Sequence, residues 1–137
     1  MAGAKLQDLH PIVTAKDYIN SLRGRKLKVY LFGELVEDIV EHPMIRPSIN
    51  AVAETYDLAM REPDLASATS HLTGEKINLF LNIAMSRDEV VLQNKMQRRL
   101  GQLTGTCFQR CVGMDALNSL YSTTFEIDEQ YQTDYHE

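Results

Sequence analysis

The stretch from Ser86 to Ser122 places the tightest limit on the fold. Ser86, followed three residues later by Glu89, is a capping box that starts a helix. Asp88 and Glu89 put negative charge where the helix dipole is positive. From there the sequence reads as helix through "MQRRLGQLTGTCFQRCVGMDALNSLYS". Gly101 and Gly105 weaken that run, which leaves room for a kink or a break. With this much helix in 137 residues, a mainly α domain is the expectation.

The rest of the chain adds shorter elements. Residues 1–13 read as a flexible arm, and residues 14–137 as one helical domain. Thr14 and Asp17 resemble a second capping box, opening a short helix over "AKDYINSLRG" that Gly24 stops. "LKVYLFG" alternates and is rich in β-formers, so a strand is expected near 27–32. "ELVEDIVEHP" is ambiguous and ends at Pro43. Pro47 suits a first helical turn, and Ile49, Val52, Ala53, Tyr56 and Met60 follow at helical spacing until Pro63. Residues 62–75 read as a loop, and "KINLFLN" as a strand able to pair with the first one. A short acidic helix is expected near 126–131. There is no internal repeat, low-complexity tract or linker.

Composition narrows the function classes. Hydrophobic residues make up 44% and charged residues 24%, an ordinary globular balance, and the net charge of −5 argues against a general nucleic-acid role. No run of 18 apolar residues is present, so no membrane span is expected. The first 25 residues lack an apolar signal core and carry Asp8 and Asp17, which argues against an organelle transit peptide. Two cysteines are too few for a secreted disulfide framework, so the cytoplasm is the default compartment.

Both cysteines, Cys107 and Cys111, stand four apart. In a continuous helix that spacing puts them on one face, with Thr104, Met114 and Asn118 on roughly the same stripe. One helical turn supplies two thiolates to a metal or an iron–sulfur cluster, and other segments must supply the rest. Free cysteine also packs as a small buried hydrophobe, and spacing alone does not separate the two readings. A disulfide between them is disfavoured by helix geometry, and the two-residue spacing of zinc ribbons is absent. His10, His42, His71 and His136 are scattered and complete no site, and no GxGxxG, P-loop or GxSxG motif occurs. Lys95, Arg98, Arg99 and Arg110 form a basic cluster: a solvated helix face on one reading, an anion contact to a cofactor or substrate phosphate on the other.

"YINSLRGRKLKVYLFGELVEDIVEHPMIRPSINAVAETYDLA", "KMQRRLGQLTGTCFQRCVGMDALNSLYSTTFEID" and "YQTDYH" together resemble the N-terminal region of the 4-hydroxybutyryl-CoA dehydratase family. Its members are also called vinylacetyl-CoA delta-isomerases, and they belong with the 4-hydroxyphenylacetate 3-hydroxylase superfamily. "CFQRCVGMDA" is the most specific piece, and the monooxygenase branch is not expected to carry the cysteine pair. The resemblance implies the N-terminal helical domain of an acyl-CoA-dehydrogenase-like fold, with a small β element. It implies a flavin (FAD) and iron–sulfur lyase that dehydrates 4-hydroxybutyryl-CoA to crotonyl-CoA and isomerises vinylacetyl-CoA. In that family the flavin makes a transient one-electron oxidation and the cluster holds the leaving hydroxyl as a Lewis acid.

The family's [4Fe–4S] cluster takes three cysteines and a histidine. Cys107 and Cys111 match two of the cysteines; the third and the histidine lie later in the family chain, and no histidine here matches. The resemblance therefore implies an N-terminal portion, lacking the middle and C-terminal domains and inactive alone. It further implies an acyl-CoA substrate and a homotetramer of the complete enzyme. Because arginine's planar fork fits phosphate beside a cofactor site, Arg98, Arg99, Gln109 and Arg110 are candidates for contact with flavin or CoA in the complete enzyme. The alternatives are part of a 4-hydroxyphenylacetate 3-monooxygenase-type flavoenzyme, and a non-catalytic helical module with packed cysteines.

Overall fold

In the computed structural model, which describes residues 11–136, five helices and two short hairpins follow one another. They are α1 (Ala15–Arg23), β1 (Val29–Leu31), β2 (Glu34–Val36), α2 (Arg46–Arg61), α3 (Pro63–Ala66), β3 (Ser67–Thr69), β4 (Lys76–Asn78), α4 (Arg87–Thr104) and α5 (Cys111–Tyr131). A 3-10 turn, Leu79–Leu81, joins β4 to the segment before α4. The expected mainly helical class is what is found. Of the expected arm, residues 1–10 lie outside the described residues; Pro11, Ile12 and Val13 line a groove with Tyr56, Met60 and Ile77.

Both capping sequences start helices. Thr14 accepts from the Asp17 N–H at 3.1 Å, and Asp17 accepts from the Thr14 N–H at 3.0 Å. Ser86 accepts from the Glu89 N–H at 3.3 Å, but the Glu89 carboxylate turns one residue further back, to the Met85 N–H at 2.6 Å. Pro47 sits in the first turn of α2.

Four expectations need correction. The first strand pairs with its own neighbour: Val29 faces Val36 and Leu31 faces Glu34, across a turn with Phe32 and Gly33 both at positive φ. The strand within "KINLFLN" is only Lys76–Asn78, and it pairs with β3, not with the first strand. The supposed loop 62–75 contains α3 and β3: Pro63 stops α2 but starts the next helix, whose fixed φ suits that position. The acidic segment 126–131 is the last part of α5 and not a helix of its own.

The core is a cluster of Ala51, Leu58, Ala66, Leu79, Phe80, Met96, Leu100, Phe108 and Met114. α1 packs on α2 through stacked Tyr18 and Tyr56 rings, 5.5 Å between centroids, and α2 and α3 pack on α4. α5 meets the rest mainly at the 3-10 turn. Asn118 ties it down, accepting from the Ala84 N–H at 2.8 Å. Of α5 only Met114 is buried, while Val112, Leu117, Leu120 and Phe125 are exposed. No helix among the described residues is long and apolar enough to cross a membrane.

After α5 the chain folds back. The Asp128 carboxylate accepts from the Thr133 hydroxyl at 2.7 Å, from the Tyr135 N–H at 2.9 Å and from the His136 N–H at 2.7 Å. These bonds, Thr133's foremost, hold the carboxyl below its ordinary pKa. A depressed carboxylate stabilises the folded tail at pH above its unfolded value and loses that effect as pH falls through the folded one. The Tyr135 and His136 amides are therefore expected to lose protection from hydrogen exchange on acidification, ahead of the core. Asp128→Asn is expected to remove that pH dependence. Equal protection at neutral and acidic pH would sink this reading.

Candidate functional site

The long helical run breaks where glycine allows it. α4 ends at Thr104, and Gly105 takes the left-handed conformation at φ +61° while its N–H returns to the Gly101 carbonyl. Thr104 reinforces the stop, its hydroxyl lying 2.9 Å from the carbonyl oxygens of Leu100 and Thr106. The expectation that one continuous helix carries both cysteines is corrected: Cys107 lies in the loop 105–110, and Cys111 is the first residue of α5. The predicted stripe through Thr104, Met114 and Asn118 falls with the continuous helix.

A different pattern replaces the helical one. Cys107 and Gln109 are exposed; Phe108 is buried at 8% exposure and Arg110 is half-buried. Successive side chains of the loop thus alternate outward and inward. Gln109, at φ +53°, makes the reversal that leads into α5. Phe108 packs edge-on against Phe80, with centroids 5.7 Å apart. Both cysteines are free thiols, and Cys111 touches the core cluster from its edge.

The start of α5 has no side-chain cap. Its first intrahelical bond runs from the Met114 N–H to the Arg110 carbonyl, so the N–H groups of Cys111, Val112 and Gly113 precede the ladder. Backbone donors beside a thiol suit a sulfur ligand, because cluster and thiolate sulfurs accept hydrogen bonds. The donor set is soft and suits iron–sulfur chemistry, but it is partial. Among the described residues no three His, Cys, Asp or Glu side chains are grouped so as to hold a metal ion.

The four polar candidates separate. Arg99 makes a forked contact to Glu62, at 2.9 and 3.1 Å, which ties α4 to the α2–α3 corner. Arg110 points inward, its guanidinium 4.6 Å from the Tyr56 ring centroid and 4.8 Å from that of Phe80, and donates to Thr55 Oγ1 at 2.9 Å. Burial pulls its pKa below the usual arginine value, but arginine remains a cation. Arg98 and Gln109 are exposed. Gln109 and Arg110 share a cleft of about 470 Å³ with Phe80, Gly113, Met114 and Leu117. No local pattern marks Thr55 or Phe80 as a partner of Arg110; Phe108, the aromatic residue between the cysteines, was the available signal.

The family described as 4-hydroxyphenylacetate 3-hydroxylase N terminal matches residues 14–137. The chain belongs to this family. Within the 4-hydroxyphenylacetate 3-hydroxylase N-terminal family, similarity is uneven. The chain is 54% identical over 127 residues to 4-hydroxybutyryl-CoA dehydratase/vinylacetyl-CoA-Delta-isomerase of Clostridium aminobutyricum, covering 91% of this chain and 26% of that protein. To the 4-hydroxyphenylacetate 3-monooxygenase oxygenase component of Geobacillus sp. it is 27% identical over 94 residues, covering 69% and 19%. A solved structure of an oxygen-tolerant archaeal 4-hydroxybutyryl-CoA dehydratase from N. maritimus superposes with a TM-score of 0.86 at 74% identity, over 92% of this chain and 25% of that one. The chain thus spans about a quarter of the length of the dehydratase relatives.

Proposed function

We propose that this chain is the N-terminal part of an enzyme that dehydrates 4-hydroxybutyryl-CoA to crotonyl-CoA and isomerises vinylacetyl-CoA. The observation that carries the reading is the contrast in identity: 54% and 74% to dehydratases against 27% and 37% to monooxygenase oxygenase components. The cysteine pair in an otherwise cysteine-free chain supports it. Residues 14–137 form the N-terminal helical domain of an acyl-CoA-dehydrogenase-like fold, and the complete enzyme is a cytoplasmic homotetramer.

In this reading Cys107 and Cys111 are two of the ligands of a [4Fe–4S] cluster. The outward turn of Cys107 and the free first-turn N–H groups of α5 support that assignment. When bound, such a cluster supplies a Lewis-acidic iron and FAD supplies one-electron redox chemistry. The chain's own part is to present two sulfur donors on a fixed backbone and to offer polar contacts beside them. Arg98 and Gln109, exposed, are the candidates for direct contact with flavin or the CoA phosphates. Arg99 and Arg110, engaged within the chain, serve that contact indirectly through the surfaces they hold.

The test is iron, acid-labile sulfide and flavin analysis of the chain with and without the downstream polypeptide. Iron, sulfide and FAD together with turnover of 4-hydroxybutyryl-CoA are expected only in the assembled protein. Flavin without iron, with hydroxylation of a phenol, would transfer the chain to the monooxygenase branch.

A further inference from the structure

We propose that Arg110 is a positioning residue for the cysteine pair. Its clamped guanidinium sets the direction in which Cys107 and Cys111 leave the surface. The inference rests on the reading of the pair as metal ligands and names what holds them in place. Arg110 stands three residues after Cys107 and directly before Cys111. Its carbonyl opens the hydrogen-bond ladder of α5, while its side chain leaves in the opposite sense, into the body of the domain. There the guanidinium lies between the rings of Tyr56 on α2 and Phe80 on the 3-10 turn. Tyr56 is itself backed by Tyr18 of α1.

The polar end of the clamp is equally specific. Thr55, only 1% exposed, gives its hydroxyl proton to the Val52 carbonyl at 2.6 Å, leaving its oxygen to accept from Arg110. Among the described residues no carboxylate pairs with Arg110, so the rings and the hydroxyl are its partners. One side chain therefore binds the cysteine loop to α2 and the 3-10 turn, and Phe108 adds a second anchor.

The consequence for the thiols follows from chain entropy. Each residue of an untethered loop samples several backbone states, and fixing it costs conformational entropy. A loop pinned at positions 108 and 110 has already lost that freedom, so two sulfurs meet a metal without reordering the backbone. Lysine reaches the same place but lacks the planar face and lateral donors. Methionine fills the volume but donates nothing to Thr55.

The test uses the reduced chain and Co(II) alone, read by thiolate-to-cobalt charge-transfer absorption, with iodoacetamide alkylation rates of the two thiols measured in parallel. Arg110→Lys and Arg110→Met are each expected to weaken Co(II) binding about tenfold or more, as loss of an outer support does. They are also expected to shift the ratio of the Cys107 and Cys111 alkylation rates, with helix content retained. Arg87→Met, a change at an exposed arginine on α4, is expected to alter neither. Thr55→Val, which keeps the volume but removes the hydroxyl that accepts from Arg110 together with its own bond to the Val52 carbonyl, shifts both in the same direction and covers the case in which an Arg110 variant fails to fold. Native Co(II) affinity and a native alkylation ratio in folded variants would overturn the proposal. If the unaltered chain, with two thiols and no further ligand, forms no cobalt–thiolate band, the alkylation ratio alone decides whether Arg110 positions the thiols, and the ligand reading is decided by the iron and sulfide analysis of the assembled protein.

Discussion

Cys107→Ala or Cys111→Ala, in this chain combined with the downstream polypeptide, is expected to abolish both cluster content and turnover of 4-hydroxybutyryl-CoA. Helix content is expected to stay nearly native. Cys107 lies in an exposed loop and Cys111 at a helix start on the edge of the core, so neither thiol is a large part of the packing. A cubane that loses one protein ligand exposes an iron corner to water and oxidant, and burial with a full ligand set is what prevents this. By the same reasoning the chain alone, with two thiols, is expected to hold no stable cluster. Iron and sulfide content, circular dichroism and turnover measured side by side check the prediction. A double alanine variant that still turned over substrate would return the pair to ordinary packing.

Phe80→Ala is expected to be the most damaging single change to the fold. Phe80 is 2% exposed and sits where three parts of the molecule meet: Phe108 of the cysteine loop, the Arg110 guanidinium and the apolar cluster around Leu58 and Leu100. Emptying a buried phenylalanine site costs about 3–5 kcal/mol. Whole domains are stable by only about 5–15 kcal/mol, so much of the margin is expected to go. The urea midpoint reads this directly, and Phe32→Ala is the control. Phe32 is 84% exposed at a hairpin tip, and its loss should move stability by no more than about 0.5 kcal/mol. A drop for Phe80→Ala no larger than that control would mean that α5 and the cysteine loop are held by something other than this junction.

What was legible in the sequence was local. Thr14 with Asp17 and Ser86 with Glu89 mark helix starts because the groups that satisfy one another are three residues apart. The apolar spacing after Pro47 gives α2 for the same kind of reason. The position of both cysteines in one short stretch, and the weakness at Gly105, are likewise in the sequence. Whether that weakness becomes a kink or a full break is not.

Gly105 left-handed and Gln109 reversed are favourable only because Phe108 and Arg110 find Phe80, Tyr56 and Thr55 waiting, and these lie 28 to 55 positions earlier in the chain. The pairing of β4 with β3 has the same character. Lys76–Asn78 can pair with any available strand edge, and packing of α3 on α4 brings Ser67–Thr69 alongside it. The sequence by itself determined a mainly helical chain, its helix starts and a pair of thiols four residues apart. Only the tertiary structure decided that one thiol stands on a pinned loop and the other at the start of the next helix, rather than both on one helical face. The energy that pins the loop comes from contacts between residues distant in sequence, which no local pattern records.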